Sequence, residues 1–336
     1  MAVQTRHSQP CFSGARSQPF GPVVLVCLCL LPALCAQAQL PYVERQVSFP
    51  TANSQVGAIL CLPTSPDGKV AIVILMRGSG PLESDQNSGT DDPFRNLARG
   101  LARVGIATLD YQEHAIRFDG KPKLLDRTVS ADAIAALRFA ATLPEINPSA
   151  EFVLGHSVGG TMAPYVAEAY PQLRGVILAG AAIAPIDRSI LRQHGLRLAG
   201  QGKSEREIQN ALNSQAKILA DVRSGKLPST RMINGAPVAY WLDWMSRDPI
   251  GELEKLKLPV LVLQGESDTP DEADSERLQK EIEKLGPRAE VHWIPDLNRY
   301  FSPPQGKHSS AYSSVDQQAV ESIAKWVARN ARTPKQ

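Results

Sequence analysis

The chain has 336 residues, of which 43% are hydrophobic and 21% charged, and its formal net charge is +2. This is the composition of an ordinary globular protein, so a disordered chain, a collagen-like chain and a disulfide-dense miniprotein are excluded. A mean hydropathy of −0.18 excludes a multi-span membrane protein, and the absence of a strongly basic stretch gives no reason to expect a nucleic-acid partner.

The N-terminal segment 1–38 predicts a secretory signal peptide. It holds Arg6 and Arg16 but no acidic residue, then an apolar run over 23–34, and then a small-x-small cleavage motif at 36–38. The run is too short to cross a bilayer comfortably. We therefore expect cleavage after the motif and export to the periplasm or the medium, with no membrane attachment afterwards.

Cleavage there would leave a domain spanning 39–336 with equal numbers of basic and acidic residues and a single cysteine, Cys61. We expect neither an internal disulfide nor a metal site built on cysteines. Two alternatives stay open. One is a lipoprotein signal at Cys35, although Leu34 stands where a small residue is needed, and the other is an uncleaved anchor.

Strand and helix patterns alternate through the rest of the chain. Two adjacent strand patterns near the start of the domain predict a hairpin, and the short continuous apolar runs after them predict buried strands. The predicted strands are 42–50, 55–62, 70–76, 106–111, 152–154, 176–182, 259–264 and 289–294. Helical spacing predicts helices at 94–104, 128–142, from about 157, 271–284 and over a last segment that contains 320–327. This alternation predicts an α/β fold whose mainly parallel sheet of about eight strands carries helices on both faces.

Residues 187–246 interrupt this rhythm, because they are rich in Arg, Gln and Lys and show no clear strand. We interpret them as a helical cap inserted over the sheet. The alternative is a pair of ordinary surface helices. This stretch is called the cap segment below.

The most informative motif is Gly155-His156-Ser157-Val158-Gly159-Gly160, between a predicted strand and a predicted helix. In that context the G-x-S-x-G pattern predicts a nucleophile elbow, a strained turn that exposes the serine hydroxyl. Small residues are required on either side because the turn leaves no room for side chains. Ser157 is the predicted nucleophile, and the N–H of Val158 at the helix start is a predicted oxyanion donor. The alternative is a glycine-rich turn with an idle serine.

The turn Gly78-Ser79-Gly80-Pro81 follows the strand that precedes the first core helix. In this topology that loop supplies a second backbone N–H to a developing oxyanion, and Ser79 is the predicted donor. A plain β-turn is the alternative, since Gly and Pro favour turns in any case.

Gln264-Gly265-Glu266-Ser267-Asp268 comes just past the strand 259–264. A carboxylate there is placed to orient an imidazole, and Asp268 is preferred over Glu266 and Asp271 by its spacing from the strand end. A simple turn aspartate is the alternative. The order nucleophile, acid and then a later base is that of an α/β-hydrolase.

On these motifs, the chain resembles exported bacterial α/β-hydrolases of the esterase type. Their marks are a GSGP turn, a GHSxGG elbow, a strand ending in QGExD and LNHLF near the C-terminus, and the resemblance covers roughly residues 42–332. It implies an α/β-hydrolase fold, hydrolysis of small carboxylic esters or related acyl compounds, and no cofactor. It also implies Ser157 as the nucleophile and Asp268 as the acid.

The third member of the triad does not carry over. The family's LNHLF is Leu297-Asn298-Arg299-Tyr300-Phe301 here, so arginine stands at the base position. A guanidinium stays protonated and has no acceptor lone pair, so Arg299 cannot take the serine proton. It could instead form an ion pair with Asp268.

Other histidines are candidates for the missing base. His308 is the first, because it follows nine residues later in the loop that leaves the same sheet edge, and His292 and His194 come after it. The sequence thus leaves two main hypotheses: a serine hydrolase with a base recruited from elsewhere, or a binding protein on a hydrolase scaffold. Acyl transfer to an acceptor other than water would use the same residues. We expect no metal site, because Asp85, Asp91 and Asp92 follow the turn but no second cluster of ligands accompanies them. The oligomeric state is open.

Overall fold

The computed structural model describes the chain over the following ranges: 41–52, 54–64, 66–77, 92–112, 124–181, 186–233, 235–268, 272–298, 300–301, 315 and 317–332. The predicted signal peptide and its cleavage site lie outside them.

An eight-stranded sheet forms the centre of the described structure. Its strands are β1 (Tyr42–Pro50), β2 (Gln55–Pro63), β3 (Val70–Met76), β4 (Ala107–Tyr111), β5 (Ile146–His156), β6 (Gly175–Ala179), β9 (Val260–Gly265) and β10 (Ala289–Ile294). Their order is β1-β2-β4-β3-β5-β6-β9-β10. The first two strands form the predicted antiparallel hairpin, and β4, β3, β5, β6, β9 and β10 pair in parallel. The mainly parallel sheet expected from the sequence is confirmed.

Helices cover both faces of this sheet, also as expected. They are α1 (Pro93–Arg103), α2 (Ala131–Ala140), α3 (Val158–Ala169), α4 (Ile186–Gly200), α5 (Glu205–Arg223), α6 (Val238–Met245), α7 (Pro249–Lys255), α8 (Glu272–Glu283) and α9 (Gln317–Arg332). A π-helical turn, Asp126–Ser130, leads into α2, and 3-10 turns occupy Glu266–Asp268 and Gly286–Arg288.

Alternate residues of each inner strand enter two separate cores. Phe152 and Leu154 of β5 pack with α1 and α9 on one face, whereas Val153 packs with α2 and α3 on the other. Trp326 of α9 contacts the ring of Phe152 edge-on at 5.6 Å. The continuous apolar runs of the sequence are therefore strands that are buried on both faces.

The cap segment contains α4, α5, a two-residue ribbon of β7 (Met232–Ile233) with β8 (Ala236–Pro237), and α6. The ribbon was not predicted. A buried hydrogen bond attaches the end of this segment to α3: the indole Nε1 of Trp244 donates to the Thr161 hydroxyl at 3.0 Å. Within the segment, the indole Nε1 of Trp241 donates to the Ile233 carbonyl at 2.9 Å. Both tryptophans are buried in the hydrophobic core that contains Val153.

Candidate active site

The junction between β5 and α3 is a strained turn at Ser157. Its backbone has φ 54° and ψ −120°, outside the usual regions for a residue with a side chain. Helix α3 begins at the next residue, Val158, so the first N–H groups of that helix follow directly. Ser157 is only 5% exposed. This is the strand-turn-helix geometry predicted for the motif.

The glycines around this serine are required by close backbone approaches. A Cβ on Gly155 would lie 2.6 Å from the Gly159 carbonyl carbon, and a Cβ on Gly159 would lie 2.8 Å from the Arg77 carbonyl oxygen. Real Cβ atoms essentially never come within 3.0 Å of another heavy atom. The turn therefore folds only with glycine at these positions, and the end of β3 lies directly against the first turn of α3.

The carboxyl ends of the parallel strands bring further loops to the same edge of the sheet. Met76 is in register with Gly155, and His156 is in register with Ala179. The segments that follow β3, β5, β6, β9 and β10 therefore all leave at the edge where Ser157 lies. Ligand sites of parallel α/β sheets lie at this edge.

The segments after β9 and β10 touch each other. The Ser267 N–H donates to the Leu297 carbonyl at 2.9 Å, and a Cβ on Gly265 would come within 2.8 Å of the Leu297 carbonyl carbon. Asp268 ends the 3-10 turn that follows β9, while its side chain is not among the described ones. The backbone next to the predicted acid thus lies against Leu297, which begins the stretch that corresponds to the family's LNHLF.

Hydrogen bonds among Asn298, Tyr300 and Phe301 form a tight turn after β10. The Asn298 side-chain oxygen accepts from the Tyr300 N–H at 2.8 Å, and the Asn298 carbonyl accepts from the Phe301 N–H at 2.9 Å. Phe301 has φ 57° and is buried. The ring of Tyr300 packs at 5.0 Å against the ring of His156, the residue before Ser157. The turn is thereby joined to the elbow by a direct ring contact.

His156 itself is committed to this packing. It is 1% exposed, and its ring also meets that of Phe94 edge-on at 5.3 Å. Along β5 it falls on the face of Phe152 and Leu154, so its imidazole points into the α1–α9 core.

Several predicted site residues fall outside the described part of the chain. They are Ser79, Arg299 and His308, together with Asp85, Asp91 and Asp271. The oxyanion role of Ser79, the base role of His308 and the Arg299–Asp268 ion pair therefore stay predictions.

The other two histidine candidates are placed in the fold. His292 lies within β10, where its Nδ1 is 2.7 Å from the Ser322 hydroxyl and its Nε2 is 3.2 Å from Glu290. Two strands, β6 and β9, separate β10 from β5. His194 lies in α4, and partial burial together with the nearby charge of Arg197 lowers its pKa. His292 is thus engaged at the sheet surface rather than at the elbow.

Asp92, one of the three acidic residues considered for a cation, has other partners. It caps α1 by accepting from the Phe94 N–H at 2.9 Å, and it also pairs with Arg77. The described residues contain no group of three His, Cys, Asp or Glu side chains arranged to hold a metal ion. Nor does that part of the chain include a helix long and apolar enough to cross a membrane.

Sequence reasoning missed Arg77 and its partner Asp110. The two residues are 33 positions apart, and a single sequence carries no signal that pairs them.

An open cleft of about 500 Å³ lies between the C-terminal ends of α2 and α3 and the start of β5, at the sheet end opposite to Ser157.

Comparisons with known proteins agree with this architecture. The model of the family described as serine aminopeptidase, S33, matches residues 127–297, just over half of the chain. An esterase from Thermotoga maritima, EstD, is 26% identical over 86% of this chain and 69% of its own length.

Solved structures share the fold at low sequence identity. Est1E from Butyrivibrio proteoclasticus has a TM-score of 0.54 at 14% identity, covering 86% of this chain and 99% of that one. Carboxyl esterase 2 from the fungus Tuber melanosporum has a TM-score of 0.55 at 16% identity, covering 88% of this chain and 90% of that one.

Proposed function

Because this chain belongs to the serine aminopeptidase S33 family and has the α/β-hydrolase fold, we propose that it hydrolyses small carboxylic esters through an acyl-enzyme on Ser157. The observation that carries the proposal is the strained backbone of Ser157 at the junction of β5 and α3. Such strain persists only where the surrounding structure enforces it, and it is concentrated at functional sites. The esterase name of the Thermotoga relative favours an ester over a peptide.

The chemistry follows from the elbow. The Ser157 oxygen attacks the ester carbonyl and its proton passes to the base. The N–H groups of Val158 and Ser79 hold the negative charge that develops on the carbonyl oxygen. The tetrahedral intermediate then collapses and the alcohol leaves with that proton. Water then attacks the acyl carbonyl while the same base takes its proton, and the base returns that proton to the Ser157 oxygen as the acid leaves. No cofactor is needed for any of these steps.

In this proposal Asp268 orients the base and His308 serves as the base, because Arg299 cannot accept a proton. Losing the histidine of a serine hydrolase costs about 10⁶-fold in turnover, while the oxyanion hole and binding alone retain about 10³–10⁴-fold over water. The arginine at the base position also supports a second candidate function, a ligand-binding protein with little or no turnover. Acyl transfer to another acceptor stays open.

We further propose that the protein acts after export, which N-terminal sequencing of the mature protein would test.

Hydrolysis of p-nitrophenyl acetate by protein beginning at Gln39 tests both functions. We expect the wild type to turn over and both Ser157→Ala and His308→Ala to fall to background. If the wild type is as inactive as Ser157→Ala while Arg299→His gains activity, the binding-protein alternative is supported instead. An aminoacyl p-nitroanilide in a parallel assay tests peptidase activity, and cleavage of the anilide alone would contradict the ester proposal.

A further inference from the structure

A buried arginine adjoins the elbow without belonging to any motif. Arg77 directly follows β3, and its Nε donates to one oxygen of Asp110 at 2.7 Å. Its Nη2 donates to the other Asp110 oxygen and to Asp92 at 2.5 Å. The side chains of Arg77 and Asp110 are 18% and 6% exposed. Burial opposes the positive charge, but the hydrogen bonds and charges of the two carboxylates raise the pKa of Arg77, so it stays protonated.

This arginine is linked to the elbow in two ways. Its own carbonyl oxygen lies so close to Gly159 that no Cβ fits between them. Its guanidinium lies 4.8 Å from the centre of the Phe94 ring, Phe94 meets His156 edge-on at 5.3 Å, and His156 packs on Tyr300 at 5.0 Å. We call Arg77, Phe94, His156 and Tyr300 the ring row. It runs from the end of β3 to the turn at 297–301 and passes through the residue before Ser157.

Stability alone does not account for this cluster. Burying a guanidinium with carboxylates carries a large desolvation cost, and apolar replacements are often as stable. Anion binding does not account for it either, because the guanidinium of Arg77 is already paired with the carboxylates of Asp92 and Asp110. What the cluster adds is a fixed geometry, since the planar guanidinium fork engages Asp110 through both oxygens and leaves the end of β3 little freedom.

We propose that Arg77 is a positioning residue for the reaction at Ser157: it holds the end of β3 against the elbow and, through the ring row, holds the turn at 297–301. The inference rests on the proposed ester hydrolysis. A displacement of about 1 Å at a reacting group costs on the order of 10²-fold in rate. Loss of the fork should therefore slow catalysis beyond what a loss of stability explains.

The test uses Arg77→Met, Arg77→Lys and a matched control. Arg247 is also buried, pairs with Asp126 at 2.9 Å and with Asp243, and lies 4.9 Å from the ring centre of Tyr165, but it follows α6 instead of β3. We expect Arg77→Met to lower kcat about 10- to 100-fold with KM changed less than about threefold, and Arg77→Lys to recover part of kcat. Arg247→Met should lower the melting temperature comparably and leave kcat within about twofold.

All assays run below the melting temperatures of the variants. Equal kcat for Arg77→Met and Arg247→Met, or a loss confined to KM, would overturn the proposal. If Arg77→Met does not fold, Asp92→Asn weakens the same pair and is expected to lower kcat in the same direction.

Amide hydrogen exchange of the peptide spanning 155–162 separates this inference from the proposed function. We expect faster exchange in Arg77→Met than in wild type and no change in Arg247→Met. If the wild type shows no Ser157-dependent hydrolysis, the proposed function fails. Faster exchange would still support the holding of the elbow by Arg77, and unchanged exchange would reject it.

Discussion

Ser157 combines an unfavourable backbone conformation with the position that the proposed chemistry needs. A non-glycine residue at positive φ costs of order 1–3 kcal/mol, and such residues persist only when their surroundings enforce the geometry. Here the enforcing contacts come from Gly155, Gly159 and the end of β3.

The strain at Ser157 predicts that glycine at this position gives a more stable fold than alanine does. Ser157→Gly should be more stable to chemical unfolding than Ser157→Ala by about 1 kcal/mol, because glycine adopts positive φ without steric cost but loses more entropy on folding. Both variants should be inactive, so the comparison isolates the effect of the backbone conformation on stability. Equal stability of the two variants would show that the turn carries no strain.

A second prediction at this scale concerns Gly265, which lies against the backbone of Leu297. Gly265→Ala should destabilise the protein by about 1–3 kcal/mol, as overpacking does, and should lower activity by displacing the turn at 297–301. Gly57→Ala in β2 is the matched control, since its nearest neighbour would be the Gln112 side chain at 3.7 Å. Urea unfolding and the ester assay measure both effects, and similar losses in the two variants would contradict the contact.

At the scale of elements, α6 is joined to α3 through the pair of Trp244 and Thr161. Removing either partner leaves a buried polar group unsatisfied, which costs about 1–3 kcal/mol, whereas replacing both with apolar groups is nearly neutral. The loss of stability in the double variant Trp244→Phe/Thr161→Val should therefore be smaller than the sum of the losses in the two single variants. Urea unfolding of the four proteins gives the coupling, and strictly additive effects would show that the hydrogen bond contributes nothing.

Elements also show how far the sequence could be read. The buried strands β3, β6 and β9 were predictable because a continuous apolar run, in a chain that alternates strands and helices, indicates a strand that is buried on both faces. The start of β5 at Ile146 was not, because Asn147 and Pro148 are poor strand residues and the pairing of β3 with β5 shifts register at that point. The ribbon of β7 and β8 is two residues per strand, too short for any periodic pattern.

The site divides in the same way. The elbow was predictable because local sterics alone demand glycine around the serine. The Arg77–Asp110 pair and the contact between His156 and Tyr300 were not, because they join residues brought together only by the sheet. Position 299 stood out only through a resemblance, since nothing local distinguishes that arginine.

At the scale of the molecule, charge pairs attach the outer hairpin to the helical layer. Glu44 of β1 accepts hydrogen bonds from Arg95 at 2.8 Å and Arg99 at 2.8 Å, both on α1. These hydrogen bonds, chiefly the one from Arg95, outweigh partial burial and lower the pKa of Glu44 to about 2 from 4.5.

A depressed pKa stabilises the folded state above the unfolded value and loses that effect as the pH falls towards the folded value. Glu44→Gln should therefore lower the melting temperature at pH 7, by an amount that reflects about 1 kcal/mol or less for a partly exposed pair. The difference from wild type should shrink as the pH falls from 4.5 towards 2. Thermal scans across this range measure it, and a difference that stays constant with pH would contradict the assignment.

The central claim is that Ser157 carries the acyl group during ester hydrolysis. Its most direct test is the intact mass of protein quenched with acid during turnover of p-nitrophenyl acetate, followed by peptide mapping. We expect one acetyl group on the wild type, located on Ser157, and none on Ser157→Ala. Equal acetylation of the two proteins, or turnover of the ester by Ser157→Ala at the wild-type rate, would contradict the claim.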